Sequence, residues 1–151
     1  MKIDKHERGQ SLVELAISLV ILLYLLSGAV EFGIAFFQFV QLRDAAQDGA
    51  LYGSMNPQNE AGIIARVRGA SSSPINLADT SQVTINVQID NDTMANAFAS
   101  RIACESHALK VTVSYNHQIF MPFIPQLIGR TSLPLAATVT DTILSPVCPS
   151  P

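Results

Sequence analysis

Gly9, Gln10 and Glu14 are the residues of this sequence whose types and spacing could do chemistry. They stand in the run Arg8-Gly9-Gln10-Ser11-Leu12-Val13-Glu14. A cut between Gly9 and Gln10 would leave a cationic α-amino group on Gln10. Helical spacing puts residues 10 and 14 one turn apart on one face. The new amine and the Glu14 carboxylate would then share one environment, within a subunit or between neighbours. Glu14 sits at the edge of an apolar run, where a carboxylate carried to the bilayer centre costs about 2.5–3.5 kcal/mol. The plainer alternative is a side chain that reaches back to the headgroups.

No other cluster points to a reaction. His6, His107 and His117 are scattered, with no Cys or His pair at metal-ligand spacing, and Cys104 and Cys148 form no C-x-x-C unit. Phosphate-binding, dinucleotide, nucleophile-elbow and zinc-protease motifs are missing from the sequence. We therefore expect no catalysis, no cofactor and no metal. The net charge of −3, without a basic stripe, argues against a nucleic-acid partner.

The element that must position Glu14 is the apolar run itself. Between Glu14 and Glu31 the only ionisable group is the Tyr24 phenol. Roughly 18 or more apolar residues are enough to cross a hydrocarbon core of about 30 Å. Such a segment must be helical, because water cannot satisfy its backbone there. A span over 12–30 measures about 28 Å, so Glu31 falls near the outer interface. It would be a headgroup-level carboxylate or a contact to a neighbouring helix. Ala29 and Gly33 would permit close helix approach.

Lys2, Lys5 and Arg8 precede the span, and the next basic residue is Arg43. That bias places the N-terminus in the cytoplasm and the rest outside. A cleaved signal peptide, with Ser27-Gly28-Ala29 as its processing site, is the competing reading. Apolar character resumes at once through Phe32 to Val40, which opposes it.

Helical periodicity continues beyond the span, with Val30, Ile34, Phe37, Gln41 and Ala45 near one stripe and Phe36, Val40 and Ala50 close by. Gly49, Gly53 and Asn56-Pro57 supply stop signals. One helix over 10–53 would be roughly 65 Å long. The expected organisation is a leader over 1–9, that long helix, and an outer α+β domain over 54–151. In the outer part a short helix is expected over Asn59–Gly69, with Arg66 and Arg68 facing solvent. Strands are expected over Ser81–Asp90, Ala108–Tyr115 and Leu133–Val139, each alternating apolar and polar residues. Asn91-Asp92 reads as a turn; Asn91-Asp92-Thr93 is a chance glycosylation match. Met94–Cys104 is ambiguous, with weak helical spacing. Phe120–Ile128, interrupted by Pro122 and Pro125, reads as a loop or short helix. The three strands would form a small antiparallel sheet packed on the outer half of the long helix. Outside the cytoplasm the two cysteines, Cys104 and Cys148, favour one disulfide over two buried thiols.

The run Gly9-Gln10-Ser11-Leu12-Val13-Glu14 with its apolar helix resembles a type IV prepilin processing site. Together with Gly28-Ala29-Val30-Glu31-Phe32-Gly33, Leu42, Ala45-Ala46, Asp48-Gly49-Ala50 and Tyr52-Gly53, it more narrowly resembles TadE-like proteins, the pseudopilins of the tight-adherence (Tad/Flp) pilus. The resemblance covers roughly the first third of the chain. It implies a pilin-like fold and a single-pass protein of the bacterial inner membrane. It also implies cutting after Gly9 by a prepilin peptidase, with Glu14 as an assembly residue. The partners implied are other Tad pilins, assembly-platform proteins and further copies of the N-terminal helix. Two alternatives stand beside it: an uncleaved bitopic protein whose outer domain binds an envelope partner, and a filament-forming major subunit.

Overall fold

The computed structural model describes residues 5–121 and 124–148. The first four residues of the expected leader, Pro122, Phe123 and the tail beyond Cys148 lie outside the described residues. The element order is α1 (Lys5–Met55), α2 (Glu60–Gly69), β1 (Val83–Ile89), β2 (Asp92–Thr93), α3 (Met94–Ala99), β3 (Ala108–Gln118), α4 (Ile124–Ile128) and β4 (Ser132–Thr142). This is an α+β fold, with one long N-terminal helix and a four-stranded antiparallel sheet in the order β2-β1-β3-β4. Helix α1 begins ahead of Gln10 and ends just past Gly53, where Asn56 caps the Tyr52 carbonyl with both its backbone N–H (3.0 Å) and its side chain (3.3 Å). Pro57 follows and cannot continue the helix.

The chain divides into two compact units, and the division falls inside α1 rather than after it. One unit holds the described residues up to Ile34 together with Gln118–Ser132; the other holds Ala35–His117 and the chain from Leu133 onward. In the first unit the large apolar side chains from Leu12 to Val30 stay exposed along the helix. The stretch is long and apolar enough to cross a membrane, and none of it is buried inside the protein. The second piece of this unit is the turn between β3 and β4. Ile119 N–H donates to Thr131 O (3.1 Å), and α4 closes with Gly129 N–H on Pro125 O (2.9 Å). Gly129 sits at φ +69°, the left-handed end position that a side chain would strain.

The second unit contains the hydrophobic core. Its helical side is Leu42, Ala45, Ala46 and Ala50 of α1 with Ile63 and Val67 of α2. The sheet contributes Val83, Val87 and Ile89 from β1 and Leu109, Val111 and Val113 from β3. The alternation expected in these strands is present, and the inward residues are the apolar ones. Small residues let α1 approach closely. A Cβ at Gly49 would lie 2.5 Å from Val67 Cγ2, and one at Gly53 would overlap Leu109 Cδ2.

This packing keeps Ala45 and Ala50 of the expected stripe and corrects its aromatic part. Phe37 is 59% exposed and Phe36 57%, whereas Leu42, Ala45, Ala46 and Ala50 are buried. The sheet and α2 select the small-residue face of α1, and the aromatic face turns outward. A second correction concerns the turn after β1. Ile89 pairs with Asp92, so the turn residues are Asp90 and Asn91, both with positive φ (50° and 70°). That is the two-residue hairpin geometry favoured by Asp and Asn. Strand β4 lies at the sheet edge, where Pro134 removes no interior ladder bond.

Arg66 and Arg68 are engaged rather than simply solvated. The Arg66 guanidinium stacks 5.3 Å from the centre of the Tyr52 ring, and Arg68 Nη1 donates to Leu77 O at 2.9 Å. Asn59 caps α2 by accepting from Gly62 N–H at 2.9 Å.

Candidate processing and assembly site

Gly9, Gln10, Val13, Glu14, Ile17 and Ser18 line one continuous stripe of α1. All six are exposed. A Cβ at Gly9 would meet nothing within 4 Å. The fold therefore does not require glycine there, although glycine within a helix costs about 1 kcal/mol relative to alanine. Glu14 projects from the same stripe, and no hydrogen bond or ion pair to it forms among the described residues. The helix thus places Gln10 and Glu14 one turn apart on one face, directly after a sterically unneeded glycine at position 9.

Glu31 meets partners within its own unit that neither expectation names. It is buried, at 7% exposure. Its Oε1 accepts from Phe120 N–H (3.3 Å) and its Oε2 from Met121 N–H (3.1 Å). Both donors lie about ninety positions away in sequence, in the turn between β3 and β4, so no local pattern could have identified them. Hydrogen bonds to a charged group stabilise by about 1.5–3 kcal/mol each. Glu31 thus holds this turn against the outer end of the apolar run.

Cys104 and Cys148 are joined in a disulfide, with Cα atoms 5.0 Å apart. Their sulfurs and a His107 ring nitrogen lie within 4.8 Å of one another, but the bridge consumes both thiolates that a metal would need. His107 Nδ1 is instead paired with Asp90 Oδ2 at 2.5 Å, and Asp90 Oδ1 accepts from Ala108 N–H at 2.9 Å. His117 is buried in the second unit. His107 stands just before β3 and His117 near its far end, so these two do not share a site.

The His107 hydrogen bond, followed by that from Ala108, holds the Asp90 carboxyl below its ordinary value of 3.8. The folded state therefore takes up this proton less readily than the unfolded chain. Its contribution to stability is present above the ordinary carboxylate range and is lost as pH falls through the lowered value. Asp79, accepting from Ser81, is lowered in the same direction. Asp90→Asn is expected to remove part of this acid sensitivity. Urea unfolding at pH 6 and at about pH 3 should show a smaller difference in the variant than in the parent chain. An unchanged difference would mean that the Asp90–His107 contact does not couple to folding.

A single long apolar helix bearing an exposed glutamate near its start, joined to a small α+β unit, is a pilin-like α+β fold with one candidate membrane span. Residues 9–51 match the family model described as TadE-like protein. The match runs along most of α1. No curated protein and no solved structure matches the chain.

Proposed function

We propose that the chain is a minor pilin or pseudopilin of a Tad-type pilus, inserted in the inner membrane and needed for assembly. In this reading a prepilin peptidase cuts between Gly9 and Gln10, and the nine-residue leader stays on the cytoplasmic side. The Lys2, Lys5 and Arg8 bias supports that orientation. The α1 helix then anchors the subunit, and it can leave the bilayer by packing against other pilins. The role is structural rather than catalytic.

One observation carries the proposal. The TadE-like match begins at Gly9, where the fold itself has no use for a glycine, five residues before Glu14, whose carboxylate has no partner among the described residues. Partners under this reading are the peptidase, other Tad pilins and the assembly platform.

The test is N-terminal sequencing of the protein extracted from membranes of cells with and without their prepilin peptidase. The mature chain is expected to begin at Gln10 only where the peptidase is present, and Gly9→Ala is expected to keep full-length mass. A chain that starts at Met1 in peptidase-positive cells would overturn the proposal in favour of an uncleaved bitopic protein.

A further inference from the structure

We infer that the turn between β3 and β4, formed by Ile119–Met121 and Ile124–Thr131, is a second membrane-contacting element that rests in the outer interface of the bilayer crossed by α1. This inference rests on the proposed membrane-spanning role of α1. Within the first unit the turn is held at two levels of the helix. Ile124 Cδ1 lies over Gly28, 4.0 Å from where a Cβ would stand. Three residues further on, the Phe120 and Met121 amides grip the Glu31 carboxylate. Gly28 belongs to the apolar run and Glu31 ends it, so the turn lies at the depth where the span leaves the hydrocarbon.

At that depth its surface is apolar. Leu127 is 76% exposed, Phe120 69% and Ile128 48%. The turn thus brings exposed apolar side chains to the helix level of Gly28, where the exposed apolar residues of the span end. From Ile119 to Thr131 the sequence carries one charge, Arg130, which is exposed. Apolar side chains followed by a cation is the arrangement that sits at a membrane boundary, the side chains among acyl chains and the cation at the phosphates. The backbone of the turn is compatible with that place, because Ile119, Gly129, Phe120 and Met121 have their N–H groups bonded within the unit. Irregular backbone near a bilayer is tolerated where such partners exist. Glu31 thereby has a role in holding the turn down, and the turn fixes how far the span can slide outward.

The chain contains no tryptophan, so a single introduced tryptophan reports without background. The full-length chain would be reconstituted in phosphatidylcholine vesicles, with and without lipids brominated near the glycerol end of the acyl chain. Three single variants would be compared: Leu127→Trp on the turn, Ile128→Trp beside it, and Leu22→Trp in the middle of the span. Leu127 is exposed, so its replacement leaves the fold intact, and Ile128 provides a second reporter. The expected result is blue-shifted emission from Leu127→Trp that loses most of its intensity in the brominated vesicles. Leu22→Trp is expected to respond more strongly to bromine placed deeper in the chain. Unquenched, water-like emission at both turn positions, with Leu22→Trp quenched, would overturn the inference and leave the spanning reading intact. Blue-shifted but unquenched emission at the turn would overturn it in favour of contact between copies of the chain. Loss of quenching at Leu22 as well would overturn the spanning reading itself, and the inference with it.

Discussion

Glu14→Ala is expected to leave membrane insertion at its normal level and to abolish incorporation into filaments. Insertion depends on the apolar run, and removing a carboxylate from its edge makes the run more apolar. Assembly is another matter. In a bundle of α1 helices, the first turns pack in surroundings of low dielectric. Glu14 has no partner within the described chain, and the face it shares with Gly9, Gln10, Val13, Ile17 and Ser18 offers no fixed cation. The proposed partner is the α-amino group created on Gln10 by processing, of the same subunit or of a neighbour. Removing one member of a buried ion pair costs about 3–5 kcal/mol, because the other charge remains buried and unpaired. Repeated at every subunit contact, such a loss is enough to prevent incorporation. The measurement is the amount of protein in membrane and sheared-filament fractions, for the parent, Glu14→Ala and Glu14→Asp. The aspartate keeps the charge and is expected to restore part of the filament fraction. Normal incorporation of the alanine variant would remove Glu14 from the mechanism.

The parts of the molecule legible in the sequence are those governed by local periodicity. The apolar run from Leu15 to Val30 fixes helix and length together. Val83 to Ile89 and Leu109 to Val113 alternate strictly because one face of the sheet is buried and the other is wet. The buried face of the outer half of α1 was misjudged for a physical reason. Helical spacing puts Phe36 and Phe37 on one stripe with Ala45 and Ala50. The sheet and α2 instead meet the face that adds Leu42, Ala46, Gly49 and Gly53 to those two alanines. A row of small residues spaced three and four apart was the available signal. Arg66 and Arg68 looked like solvated charges because Tyr52 and Leu77, which engage them, lie on other segments.

Glu31 was identifiable as unusual but not as what it is. Its donors are main-chain amides, which carry no residue-type signature at all. A carboxylate at the outer end of a span reads as a headgroup-level charge until a distant turn is seen to meet it. By contrast Gly9 and Glu14 are singled out by chemistry and spacing alone. The fold adds the negative fact that neither residue is needed for packing.

Loss of the Cys104–Cys148 bridge is expected to lower the stability of the second unit by about 4 kcal/mol, the chain-entropy value for a loop of this size, with 44 residues separating the two cysteines. What the bridge secures is the chain end. After β4 the backbone runs past the C-terminal end of α1, where Leu144 N–H donates to Ser54 O at 2.8 Å. Pro146 O then accepts from Glu105 N–H at 2.8 Å, and Ile143 O from Ser106 N–H at 3.1 Å. None of these three bonds involves the sulfurs, so the cost is expected mainly in the unfolded chain, which the bridge otherwise keeps compact. For a unit of roughly a hundred residues each kcal/mol shifts the thermal midpoint by about 4 °C or more, so a fall of about 15 °C or more is expected. The test compares the detergent-solubilised parent with and without reductant against Cys104→Ser/Cys148→Ser, following near-UV circular dichroism and protease resistance with temperature. Reductant should destabilise the parent and leave the double variant unchanged. A parent whose midpoint is indifferent to reductant would show that the strap of backbone bonds, and not the covalent link, holds the chain end in place.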